Sequence, residues 1–142
     1  MISIDTNLLL KATLDTEPDH SKALAFVNDH GNRDDFVLCE LVLVELYGLL
    51  RNETVMKRKV SPAEACGHIQ RLRRIPKWQV VENAPVMDEV WEFAAKRQFA
   101  RRRIFDVRLG LTLKHHGVKE FATGNVKDFK DIGFQKVWNP LK

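Results

Sequence analysis

Cysteine is scarce in this chain, with 2 among 142 residues, and the pair lacks any spacing that would grip zinc. Cys39 lies in the apolar run FVLC and Cys66 in a helical stretch, so both read as reduced structural thiols, which excludes a disulfide scaffold. Glycine and proline are sparse too, at 7 and 5 residues, which excludes collagen-like and low-complexity organisation. No apolar run is long enough to span a bilayer. A basic leader is missing, and Asp5 interrupts the place where a signal peptide would need an unbroken apolar core. The expectation is a cytoplasmic protein with no membrane association. Without linker or repeat, residues 1–142 read as a single domain, large enough to bury well over half of its unfolded surface.

What is present is a globular balance, 44% hydrophobic and 30% charged, with a formal net charge of +4 and a pI near 9.2. Such a surplus suits a polyanionic partner such as nucleic acid. Four β-type runs stand out, MISI, DFVLC, WQVVE and EFAT, with FQKVW a candidate fifth. Helical stretches lie between them. PDHSKALAFVNDHG starts at Pro18 and ends before Gly31. CELVLVELYGLLRN switches from strand to helix near Cys39. SPAEACGHIQRLRRI opens with Ser61, Pro62 and Glu64 in the pattern of a capping box. PVMDEVWEFAAKRQ places Val86, Val90, Phe93 and Ala94 on one face, with Trp91 and Phe93 read as core, and DVRLGLTLKHHG ends at Gly117. Strands alternating with helices imply βαβ crossovers and a parallel sheet covered on both faces. The expected fold is α/β, a three-layer α/β/α sandwich around a central parallel sheet of four to five strands.

Ligands of such folds bind beyond the carboxyl ends of the strands, and the acids fall there. Asp5 ends the first strand, and Asn125 and Asp128 follow the fourth in FATGNVKDF. Glu45 lies about one turn into the helix after the second strand, and Asp106 opens the helix of RRIFDVRLGLTLKHHG. Two carboxylates about 5 Å apart at an effective dielectric near 20 repel by roughly 3 kcal/mol, so a cluster of three calls for a cation. Magnesium is the natural candidate, with manganese a substitute, because the edge offers oxygen donors and lacks the His or Cys that zinc would take. Taken singly, Asp5 and Asp106 also read as helix N-caps, Glu45 as an exposed helix charge, and Asp131 in KDFKD as part of a solvated loop.

IDTNLLL, the Glu of LVLVELYGLLR, RRIFDVRLGLTLKHHGV and ATGNVKDF followed by VWNPL resemble the PIN domain, in particular the VapC toxins of bacterial toxin–antitoxin pairs. The likeness runs along essentially the whole chain. It implies a magnesium-dependent endoribonuclease that hydrolyses structured RNA, transfer or ribosomal, and is inhibited by a cognate VapB-type antitoxin. By position, Asp5, Glu45 and Asp106 match the family's acidic triad. The fourth position, acidic in many members, is Asn125 here, with Asp128 close behind.

In that mechanism Asp5 and Asp106 hold the metal, and Glu45 orients or deprotonates the attacking water. Thr6, Asn7 and Thr123 steer the carboxylates by hydrogen bonds, or Thr6 and Asn7 only cap the first helix. Arg101, Arg102 and Arg103, with Arg97 upstream, precede Asp106 and suit phosphates flanking the cleaved bond; Arg71, Arg73 and Arg74 form a second cluster farther from the acids. His115 and His116 read as carbonyl partners at a helix end rather than acid–base groups. A symmetric dimer is expected. Rival readings are a PIN-type nuclease acting on DNA, a PIN domain that binds RNA without cutting it, and a phosphatase of the haloacid dehalogenase type. The last wants a second Asp two residues after its nucleophile, where this chain has Asn7.

Overall fold

The computed structural model describes residues 1–142. Five short strands form one sheet: β1 (Ile2–Ile4), β2 (Phe36–Cys39), β3 (Gln79–Val81), β4 (Glu120–Ala122) and β5 (Lys136–Trp138). Their order is β3-β2-β1-β4-β5, and every neighbouring pair is parallel. Every residue of β1 and β2 is buried. Successive strand residues point to opposite faces, so both faces of the sheet centre are covered, as an α/β/α sandwich requires.

Eight helices cover it: α1 (Thr6–Thr13), α2 (His20–Asp29), α3 (Glu40–Leu50), α4 (Glu53–Met56), α5 (Pro62–Arg73), α6 (Met87–Ala94), α7 (Arg103–His115) and α8 (Val126–Phe129). They pack in two sets, with α1 against α2 and α3, α3 against α4 and α5, and α7 against α6 and α8. Phe36, Leu38, Ile4 and Phe121 of the strands and Phe129 of α8 are among the largest fully buried side chains. Cys39 is buried and Cys66 exposed, and both are free thiols.

Several local expectations are corrected. Pro18 stands two residues before α2, whose N-cap is Asp19. Ser61 caps α5 by accepting the Glu64 N–H at 3.1 Å, but Glu64 does not complete the box, because its carboxylate takes both ends of the Arg58 guanidinium. Trp91 is not core: it is 57% exposed, since it lies one step round α6 from buried Val90, while Phe93 is half-buried against the core. Helix α7 starts three residues before Asp106, so Asp106 lies in its first turn without capping it. Gly117 ends that stretch as expected, with φ +90°, a conformation that favours glycine.

The chain winds outward from β1 through β2 to β3, then returns to β4 on the other side of β1. Order reverses between β1 and β4. In an open α/β sheet that reversal leaves a crevice at the carboxyl edge, and the register pairs Ile4 with Ala122 so that Asp5 and Thr123 emerge side by side.

Candidate active site

Asp5 leaves β1 with its N–H on the Ala122 carbonyl at 2.9 Å. Both its carboxylate oxygens are held. Oδ1 accepts from the Thr6 N–H at 2.8 Å, which caps α1, and Oδ2 accepts from the Thr123 hydroxyl at 2.7 Å. Thr123 Oγ1 in turn accepts from the Asn125 N–H at 2.9 Å, so β1, α1 and the β4–α8 turn are tied through one carboxylate. Burial pushes the Asp5 carboxyl above its ordinary value, the two hydrogen bonds pull it back, and Glu45 and Asp128 push it up again.

Asp106 is different. It is half-buried, no hydrogen bond to its carboxylate is present among the side-chain bonds, and its pKa is pushed up to about 6 by burial and then by the charges of Asp5, Asp128 and Glu45. The fold brings the acids singled out in the sequence to one edge: Asp106 feels the charges of Asp5, Asp128 and Glu45, and Asp5 those of Glu45 and Asp128. Asp128, not Asn125, contributes the fourth charge; Asn125 is exposed and gives only its N–H to the site.

The steering groups divide unevenly. Thr123 acts through its hydroxyl and Thr6 through its backbone N–H. Asn7 touches no carboxylate, and its Oδ1 is buried with no hydrogen-bond partner. A Cβ at Gly124 would come within 2.8 Å of Asn7 Nδ2, so glycine there leaves room for the Asn7 amide.

Arg103 departs from expectation most. Its guanidinium donates to the Asp128 carbonyl at 2.9 Å and to the Asp131 carboxylate, and it lies over the Phe99 ring. Asp131 is exposed yet engaged, not simply solvated. Arg103 is thus a tether between α7 and the turn carrying Asp128, leaving the exposed Arg101 and Arg102 as the free cations before Asp106. Arg73 of the second cluster pairs with Glu40. His116 Nε2 lies 3.0 Å from the Glu82 carbonyl at the far end of α7, about 15 Å along the axis from Asp106. Sequence reasoning missed Arg108. It lines, with Thr6, Val44, Glu45, Phe105 and Asp106, a recess between α3 and α7, and only its i+3 spacing from Phe105 could have hinted at that.

No three acidic, histidine or cysteine side chains are arranged as a ready metal cage. The donors present at the edge are carboxylate oxygens, the kind magnesium takes, one or two at a time, while it keeps several waters; a cation there would relieve the repulsion that raises Asp106.

Residues 2–135 match the model of the PIN domain. The chain belongs to the PIN-domain family, among its VapC-type ribonucleases. It is 53% identical over 141 residues to Ribonuclease VapC24 of Mycobacterium tuberculosis, in strains CDC 1551 / Oshkosh and ATCC 25618 / H37Rv, an overlap of 99% of this chain and 97% of the relative. Two solved structures share the fold. One is VapC20 of M. tuberculosis, a sarcin–ricin loop cleaving toxin, with TM-score 0.65, 14% identity and coverage of 94% and 96% of the two chains. The other is FitAB bound to a DNA fragment, with TM-score 0.66, 16% identity and coverage of 100% and 96%.

Proposed function

We propose that this VapC-type ribonuclease is the toxin of a toxin–antitoxin pair, a magnesium-dependent endonuclease of structured RNA whose residues 1–142 work as one PIN domain in the cytoplasm. The observation that carries the reading is the gathering of Asp5, Glu45, Asp106 and Asp128 at the β1/β4 crevice of this fold, where the other three charges push the Asp106 carboxyl up. Asp5 and Asp106 would hold magnesium, with Asp128 adding negative charge beside it. When bound, the ion supplies an acidified water and neutralises charge on the phosphoryl oxygens.

The protein's own groups do the rest. Thr123 and the Thr6 N–H fix one bond on each Asp5 oxygen and so hold the carboxylate in one orientation. Glu45, exposed on α3 and lining the same recess as Asp106, would orient the attacking water and receive its proton. Arg101 and Arg102 meet the phosphates that flank the cleaved bond. Partner assignments follow the same reading: a VapB-type antitoxin blocks the crevice, and the toxin is a homodimer.

Sequencing RNA 5′ ends after brief expression is the test. New ends in transfer or ribosomal RNA with the wild type, absent with Asp106→Asn, are expected; unchanged RNA, or cleavage of DNA in its place, would overturn the reading. Light scattering with and without the neighbouring gene's product tests the partners, and a monomer indifferent to that product would overturn them.

A further inference from the structure

The recess between α3 and α7 carries a feature that acid chemistry does not use. Each acid at its mouth is preceded by an exposed apolar residue: Val44, 72% exposed, before Glu45, and Phe105, 59% exposed, before Asp106. This is not a frayed amphipathic pattern, because Val107, Leu109, Leu111 and Leu113 of the same helix are buried. Arg108, one turn on, sets its guanidinium carbon 5.9 Å from the centre of the Phe105 ring. It forms no ion pair with any of the nearby acids, and its Nε is buried without a partner.

We infer that Phe105 and Arg108, with Val44 opposite, form a nucleotide subsite beside the acids: a base of the substrate strand stacks on the open face of Phe105, and Arg108 donates to the adjoining phosphate. This rests on the ribonuclease reading above. An aromatic face accepts any base, and RNA recognition favours unpaired bases splayed onto such rings. One face of Phe105 is turned to the Arg108 guanidinium, whose attraction to the ring keeps the two side chains together, and the guanidinium forms no ion pair that would compete with a phosphate. A phosphate there also lies near carboxylates, and the Arg108 cation offsets part of the repulsion that RNA would otherwise meet.

The experiment measures binding of a fluorescein-labelled, single-stranded oligoribonucleotide of mixed sequence by anisotropy, in chelator so that nothing is cleaved. Phe105→Ala should weaken binding about tenfold and Phe105→Tyr leave it within about twofold, the pattern of stacking rather than of shape. Arg108→Gln should lower the slope of log affinity against log salt by about 0.7, one phosphate contact on a single strand. Equal affinity of Phe105→Ala and wild type overturns the subsite, as does an unchanged salt slope in Arg108→Gln. A Phe105→Ala variant that changes oligomeric state or antitoxin affinity while binding RNA normally assigns the surface to a protein and also overturns it. Wild-type protein that binds no RNA at all removes the ribonuclease reading itself, an outcome distinct from the other three.

Discussion

Asp5 and Asp106 face the same crevice from opposite kinds of support. Asp5 sits on the β1/β4 seam with both oxygens hydrogen-bonded and its backbone in the sheet. Asp106 rides on the first turn of α7, half-buried, held by no hydrogen bond and surrounded by like charge. The fold supplies hydrogen-bond donors that partly offset burial at the seam, whereas the helix face has none. Buried donors fix one carboxylate, while the repulsion on the other is left unrelieved, which under the proposed reading a cation would offset.

The largest expected break in this comparison comes from the seam. Thr123→Val removes the donor to Asp5 and the acceptor of the Asn125 N–H, and should lower RNA cleavage by about 10- to 100-fold, as loss of a residue that orients a metal ligand does. Unfolding in urea should show a cost of about 1–3 kcal/mol for the groups left unpaired. Thr123→Ser should restore both; a Ser variant as poor as Val would place the cause in packing instead.

Next come opposite signs of stability. Asp5→Ala removes the α1 cap and should destabilise by about 1–2 kcal/mol. Asp106→Asn should stabilise the metal-free protein at neutral pH. The folded pKa of Asp106, about 6, lies above its ordinary value of 3.8, so the folded state binds the proton more tightly. Its favourable contribution is complete below about pH 4 and is lost as pH rises to about 6. The Asn variant escapes that loss, by about 1 kcal/mol once solvent screening of a half-exposed group is discounted, or about 3 °C in Tm. Melting curves at pH 7.5 and pH 4 check this: the gain should appear at the first and vanish at the second.

The smallest effect belongs to the tether. Arg103→Gln frees the turn bearing Asp128 from α7 and should cost about 0.5 kcal/mol in unfolding, with faster amide exchange at residues 125–131. A variant that exchanges like wild type but binds RNA poorly would return Arg103 to the substrate.

Much of this was legible in the sequence, for physical reasons. The strands announce themselves as short apolar bursts between helical periods, and an acid directly after a buried strand is too costly to be idle, which marked Asp5. Residue order also placed Glu45, Asp106 and Asp128 on the same edge once the sheet was taken as parallel. What escaped depended on partners far along the chain. Arg103 reads as a free cation until Asp131, 28 positions away, folds back onto it. Glu64 reads as half of a capping box until Arg58 claims it. The single turns α4 and α8 are too short for periodicity to register. Trp91 reads as core because a two-turn helix leaves little room to fix which side faces in, and Arg108 passes unmarked because the recess it lines exists only once α3 and α7 come together.

The central claim is that these carboxylates form a divalent-metal centre for RNA hydrolysis. Its most direct measurement is cleavage of a structured RNA by purified wild type and Asp106→Asn, each with magnesium and with excess chelator. The account predicts cleavage only by the wild type with magnesium, with the variant reduced by more than about tenfold, or 1.4 kcal/mol of transition-state stabilisation. Full activity of the wild type in chelator, or of Asp106→Asn with magnesium, would contradict it.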